Sequence, residues 1–460
     1  MVKTRIAPSP TGDPHIGTAY TALFNFAFAK KNKGKFVLRI EDTDRTRLIE
    51  GATEKIVDSL TWLGLEWDEG PIHQSDRLDL YQKKAKELVN KGAAYYCDCS
   101  PERLVKVRDE QQAKGEVPRY DRKCRENPPT KEEIESGKCV IRLKVPTDGE
   151  TSFEDLIRGE ITFQNKDIDD AVLLKSDGWP TYHLAVVVDD SDMEITHVIR
   201  AEEWLSSTPK HVLLYNAFGL KTPIFAHLPL LRNPDRSKIS KRKNPVSIIW
   251  YKKQGYLPEA LLNYLALMGW SMPDEREKFT LDEFIENFDF SRVDPSGPVF
   301  DIQKLDWLNG QWIRSLPEKG LVVRLREFTK AEAKDIEKII PLVRERLKKL
   351  SEFDQQTKFF FEEPKMDQKL LLIPGRNEEE TKKALDESIK IYQDLDWQKE
   401  KLEDATRKLA EKLGWKAPDL FMSLRVVVTG SKISPPLFET LVALGKEKTM
   451  ERIKKAASSI

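Results

Sequence analysis

Cysteine is scarce in this chain: 460 residues carry only 4. That excludes the disulfide framework that staples small secreted domains. Charge imbalance is absent too. Lys plus Arg and Asp plus Glu each total 76, so the formal net charge is zero. A basic field over the whole molecule is thereby excluded, and any polyanion must be held by local patches. Such patches exist at Lys30–Lys35, Arg236–Lys243 and Arg344–Lys349. No apolar run is long enough to span a bilayer, and the first residues carry no signal-peptide pattern. The sequence therefore predicts a cytoplasmic protein that makes no use of a membrane. Glycine is missing between Gly320 and Gly375 and again between Gly375 and Gly414. From about Ser315 onward Lys, Glu, Leu and Ala dominate, with apolar residues at helical spacing. This predicts an all-helical C-terminal region, two bundles meeting near Pro374 and Gly375.

What is present points to several domains, for which this length is sufficient. Phe36–Ile40 reads as a short buried strand. A helix over Tyr20 to Lys31 separates it from a strand at Arg5, which makes a βαβ unit. Thr53–Leu65 and Leu78–Asn90 have amphipathic helical spacing and stop at Gly64 and Gly92. Between Ala93 and Asp190 short apolar runs such as Cys139–Val145 and Ile161–Gln164 alternate with turn residues. Parallel-sheet signals return at Ile195–Arg200, followed by a helix around Lys210–Phe218. The fold class predicted is α/β: a Rossmann-type doubly wound domain split by a strand-rich insertion, then the helical region. The boundaries predicted are 1–92 and 191–240 for the split domain, 93–190 for the insertion, 241–314 for a connecting region, and 315–374 and 375–460 for the two helical parts.

Two segments far apart carry chemistry. In Arg5–Thr18, Pro8, Pro10, Gly12 and Pro14 fix a rigid turn between a strand end and a helix. A helix start behind a strand end offers N–H groups and a dipole to an anion. Gly17 leaves room for a flat base, and His15 can donate to a phosphate oxygen as charge builds. Downstream, Lys238 and Lys241 bracket Ser240 in a basic loop. A lone histidine or lysine pair is most often structural; the two segments together reinforce one nucleotide-binding reading. Cys97, Cys99 and Cys124 lie close enough in sequence to suggest a metal site, although spacing alone leaves ordinary buried thiols equally open.

These stretches resemble the HIGH and KMSKS signatures of class I aminoacyl-tRNA synthetases. Leu38–Asp44, Trp179–Leu184, Val198–Leu205 and Leu230–Pro234 narrow the resemblance to the bacterial-type glutamyl-tRNA synthetases, over nearly the whole chain. The resemblance implies an ATP-dependent ligase. It joins L-glutamate to AMP, with tRNA bound, and transfers the glutamyl group to the 3' end of tRNA(Glu), with tRNA(Gln) as the second candidate acceptor. It implies His15, Lys238 and Lys241 as catalytic residues. ATP, carrying Mg²⁺, would meet Thr11, His15, Gly17, Glu203, Leu230, Leu231 and Lys241. Glutamate would meet Arg5, Ala7, Ser9, Glu41, Tyr182, Arg200 and Trp204; arginine forks suit carboxylates, and Glu41 suits the ammonium. Val186 departs from relatives that have asparagine there. The insertion would bind the acceptor end, 241–314 the tRNA stem, and the helical region the anticodon, with Arg344 and Arg346 on a helix as candidate base readers. Tyr120 joins Cys97, Cys99 and Cys124 as the implied ligand set of a structural Zn²⁺. A monomer is the expected state. Glutaminyl relatives end in a β-barrel and a shortened relative lacks an anticodon region, so the helical C-terminus argues against both.

Overall fold

The computed structural model describes residues 1–239, 245–365 and 368–460. It divides into two units: residues 1–252 with 258–302, and residues 253–257 with 303–460.

The first unit is built on parallel strands. β1 (Lys3–Ile6), β2 (Lys35–Ile40) and β3 (Glu69–His73) run parallel in the order β1–β2–β3. β2 is largely apolar, Phe36 to Leu38 and Ile40 being fully buried, as in a covered parallel strand, whereas β1 buries Thr4 and Arg5 beside Ile6. The helix α1 (Ile16–Lys31) supplies the crossover between them, and its Leu23, Phe24 and Ala27 are fully buried.

An antiparallel trio follows: β4 (Ala94–Cys97), β5 (Val140–Leu143) and, after the hairpin β6 (Glu150–Asp155) and β7 (Gly159–Gln164), β8 (Val172–Leu174). The parallel set resumes at β9 (His197–Ala201) and β10 (Ile224–Leu228). β9 lies beside β1, where the Thr196 amide donates to the Lys3 carbonyl at 3.0 Å. The hairpin β6–β7 does not join the antiparallel trio. It docks on the outer edge of β10, pairing Asp155 with Phe225. The helix Tyr182–Asp192 runs through position 190, and its Asp189 and Asp190 are buried against residues of β1 and β2.

The second unit is helical throughout its described residues after Gln303. The helix Ile302–Ser315 is followed by Glu318–Leu325, Ala333–Val343 and Glu352–Phe361, then by Glu378–Gln393, Lys399–Leu413, Ala417–Thr429, Leu437–Leu444 and Lys446–Ser459. Arg344 and Arg346 were expected on a helix; they lie instead on a single 3₁₀ turn after Val343, where Leu347 leaves helical geometry and becomes fully buried. Among the described residues no helix is long and apolar enough to cross a membrane.

Candidate active site and cysteine cluster

A cavity of about 380 Å³ opens at the C-terminal ends of β1 and β9, where ligands bind in open α/β sheets. Its wall contains Arg5, Ala7, Ser9, His15, Gly17, Glu41, Tyr182, Arg200, Glu203, Trp204, Leu230, Leu231 and Lys238. Thirteen residues singled out in the sequence are thus brought to one place. Thr11 is not in the wall. Lys241 lies outside the described residues.

α1 starts at Ile16, four residues before Tyr20 where the sequence placed it, because His15 is its N-cap. The Nδ1 of His15 accepts the Gly17 amide at 2.9 Å. A Cβ at Gly17 would come within 3.1 Å of that nitrogen, so glycine keeps the cap in place. The Ile16 amide donates to the Val246 carbonyl at 2.6 Å and the Thr18 amide to the His15 carbonyl at 2.8 Å. The free N–H groups expected at this helix start are therefore already bonded. What α1 offers the cavity is its dipole and the other nitrogen of His15.

The two arginines of the cavity differ in their partners. Arg5, almost fully buried, sets Nε and Nη2 on the two oxygens of Asp190, at 3.1 and 3.3 Å. Asp190 also accepts from Nη1 of Arg39 at 2.7 Å, and Arg39 donates to Glu41 at 3.1 Å. Burial pushes the Asp190 carboxyl up, but Arg5 and Arg39 outweigh it and hold the group below its ordinary range. Burial dominates at Glu41, whose carboxyl stays raised against the pull of Arg39 and Arg5. The roles of Asp190 and Arg39 escaped the sequence reading; the hint was charge inside buried segments, Arg39 in β2 and the pair Asp189 and Asp190 in the helix Tyr182–Asp192.

Arg200 is equally buried, yet all its bonds go to neutral groups. Nε donates to Nε2 of His227 at 3.1 Å. Nη1 reaches the Tyr182 oxygen at 3.0 Å and Nδ1 of His211 at 3.2 Å. Nη2 reaches Oγ1 of Thr208 at 2.8 Å and the Trp204 carbonyl at 3.5 Å. Tyr182 and Trp204 pack with ring centres 4.3 Å apart. Lys238 pairs with Glu203 on the rim.

The second site is the cysteine cluster. Cys97 ends β4, Cys99 follows it, and Cys124 sits on a short helical turn. Their sulfurs lie within 4.8 Å of one another, with Cys99 and Cys124 at 3.4 Å. The Tyr120 oxygen lies 3.4 Å from the Cys97 sulfur and 3.5 Å from that of Cys99. A tetrahedral zinc with sulfur at about 2.3 Å sets its ligands about 3.8 Å apart, so this arrangement fits such an ion. Burial pushes the Cys97 thiol up, but bonds from Tyr120 and Arg142 bring it below its usual value. Burial raises Cys124 to about 12. The cluster is compatible with a structural zinc. Cys139 lies outside it.

In the helical unit Arg346 borders a cavity of about 920 Å³ and donates to the Ser434 carbonyl at 2.7 Å. Arg344 turns away and caps the helix Ile302–Ser315 through the Arg314 carbonyl at 2.6 Å.

Residues 1–307 match the model of the catalytic domain of class I tRNA synthetases (E and Q), and residues 320–457 match an anticodon binding domain. The chain belongs to this synthetase family. A glutamate–tRNA ligase of Acidothermus cellulolyticus is 48% identical, with 99% of this chain and 95% of the relative covered. One of Fusobacterium nucleatum is 47% identical over 98% and 96%. A crystal structure of a glutamate tRNA ligase from Elizabethkingia meningosepticum in complex with its amino acid superposes with a TM-score of 0.88, at 34% identity, covering 100% of this chain and 99% of that one. The cavity therefore lies in the catalytic domain of a class I synthetase, and the helical unit carries its anticodon-binding domain.

Proposed function

We infer that the protein is a glutamate–tRNA ligase whose amino acid and ATP meet in the cavity between β1 and β9. The observation that carries the substrate is Arg200: a buried guanidinium with no carboxylate in bonding range among the described residues invites an anionic ligand. Arg5 and Arg200 serve the glutamate side chain, Glu41 its ammonium, and Ala7, Ser9, Tyr182 and Trp204 the walls. ATP, with Mg²⁺ carried on its phosphates, lies against Thr11, His15, Gly17, Glu203, Leu230 and Leu231.

In the first step the α-carboxylate of glutamate attacks the α-phosphorus of ATP, and the bond to the bridging oxygen breaks to release pyrophosphate. His15, with Lys238 and Lys241, stabilises the charge that moves to the leaving group. In the second step a ribose hydroxyl at the tRNA 3' end attacks the glutamyl carbonyl carbon, and AMP leaves. The protein supplies positioning and charge, with no nucleophile of its own.

The finer assignments extend this reading. The acceptor is tRNA(Glu), with tRNA(Gln) as the second candidate, and the enzyme acts as a monomer in the cytoplasm. Residues 93–190 take the acceptor end, 241–314 the stem, and 315–374 and 375–460 the anticodon. Arg346 is the better placed base reader, because Arg344 is spent on a helix end. Cys97, Cys99, Tyr120 and Cys124 would hold a zinc whose role is to fix the insertion.

Pyrophosphate exchange, with and without tRNA, tests the reading. Exchange should appear with glutamate and tRNA and stay near background with glutamine. In Arg200→Ala the glutamate KM should rise about 100-fold, from roughly 3 kcal/mol of charged hydrogen bonding, while the ATP KM stays within about twofold. An unaltered glutamate KM would remove Arg200 from the site.

A further inference from the structure

We propose that His211 and His227 are positioning residues that hold Arg200 through neutral acceptors, so that its charge stays uncompensated for the substrate carboxylate. The proposal rests on the glutamate reading given above.

A guanidinium has five N–H donors and no acceptor. Whatever bonds to Arg200 must therefore present a lone pair. His211 does so at Nδ1, 3.2 Å away, and His227 at Nε2, 3.1 Å away. Both tautomers follow. His227 carries its hydrogen on Nδ1 and gives it to Asp155, at 2.6 Å. His211 carries its hydrogen on Nε2 and gives it to Nδ1 of His183, at 3.1 Å. Burial, reinforced by the Arg200 charge, keeps all three rings below the ordinary histidine range, with His183 near 4.

The contrast with Arg5 and Arg39 is the reason to read this as design of the site. Those two cations share Asp190, and Arg39 also meets Glu41. Arg200 has no carboxylate oxygen within ion-pair distance among the described residues; the acid nearest along its bonds, Asp155, stands behind the His227 ring. A carboxylate in place of either histidine would hold the guanidinium as firmly. It would also cancel the charge the ligand needs, because a pair already formed leaves little field outside it. Neutral imidazoles fix the direction of the fork and leave the field. Tyr182 completes the arrangement: its oxygen accepts from Arg200, so its own O–H is left to donate to a ligand oxygen. The long 3.5 Å bond to the Trp204 carbonyl is the one a carboxylate would replace on Nη2.

The test uses isosteric pairs. His211→Asn and His211→Asp place an acceptor of nearly the same size where Nδ1 stands; they differ in charge. Glutamate KM is measured by tRNA-dependent pyrophosphate exchange, beside ATP KM and kcat. The aspartate variant should show a glutamate KM about tenfold or more above that of the asparagine variant, the scale of one partly screened charge pair, with similar ATP KM in both. A packing role would move both variants alike, and equal glutamate KM values would overturn the proposal. Thr208 gives the same test at a second atom. It bonds Nη2 at 2.8 Å and is the first residue of its helix, where a carboxylate is favoured by the dipole. Thr208→Asn against Thr208→Asp therefore decides the matter if His211→Asp does not fold. Absence of glutamate activation in the unmodified protein would instead overturn the functional reading itself.

Discussion

Nδ1 of His15 accepts the amide hydrogen of Gly17, two residues along, at 2.9 Å. The bond caps α1 and at the same time fixes the tautomer, leaving the ring hydrogen on Nε2. One side chain thus serves stability and, in the proposed mechanism, phosphate contact. The two roles can be separated. Asparagine is a good N-cap, so His15→Asn should keep unfolding stability within about 0.5 kcal/mol, whereas His15→Ala should lose about 1 kcal/mol. Both remove the Nε2 donor. Both should lower the kcat of pyrophosphate exchange by about 100-fold or more, the scale of one transition-state donor. Denaturant unfolding beside exchange kinetics checks the split. A fully active asparagine variant would confine His15 to capping.

Asp190 is the shared anion of Arg5 and Arg39, and all three are buried. Asp190→Asn leaves two cations where the charge had been balanced. A loss of about 3–5 kcal/mol is expected, as when one partner of a buried pair is removed. The pH dependence has a definite sign. The folded carboxyl lies below its ordinary range, so its contribution is present above the unfolded value, about 3.9, and is lost as pH falls through the folded value. The unmodified protein should thus lose this stability only in acid below about pH 4. Urea midpoints from pH 7 down to pH 3 measure it. An asparagine variant as stable as the parent at neutral pH would mean that the network carries no net stabilisation.

The same network marks where sequence reading stopped. Strand β2 was legible because it is buried and its residues run apolar, while β9 offered only the shorter run Val198–Ile199. Arg5 and Arg200 were legible because they match positions of the synthetase family that the chain resembles. Asp190, His211 and His227 were not, since each meets its arginine from a different element and no spacing links them; Asp155 lies one step further off, behind His227. Ile161–Gln164, within β7, was read as a strand, but its partner β6 was not, and alternation along a strand cannot say which sheet edge it will join; the Asp155–Phe225 pairing decides that. At α1 the start was misplaced because a histidine, an uncommon cap, did what a serine or threonine usually does.

Lys241 is proposed to act as charge moves to pyrophosphate. Lys241→Ala should then lower kcat for activation far more than it raises the glutamate KM, with a loss of about 100-fold. Transfer from preformed glutamyl-adenylate to tRNA should stay within about threefold of normal, because no pyrophosphate leaves in that step. Rapid-quench measurement of the two half-reactions separates them. Equal losses in activation and transfer would sink the assignment.

The cysteine cluster makes its own demand. Three sulfurs and the Tyr120 oxygen converge, and guanidinium groups stand close by: Arg142 lies 4.0 Å from the Tyr120 ring centre, and Arg103 donates to the Cys99 sulfur at 3.4 Å. Positive charge favours thiolates, the form that binds metal. Protein purified without chelator should hold about one zinc per chain, as four ligands close a structural site. Cys97→Ser should release it and loosen the strands around Cys97, β4 and β5, while the thermal transition of the helical unit stays in place. Aminoacylation should then suffer through the KM for tRNA, because this segment is the one proposed to meet the acceptor end; the ATP KM should hold. Metal analysis and hydrogen exchange over residues 94–143 provide the measurement. Full activity in metal-free protein would reduce the three residues to ordinary buried thiols.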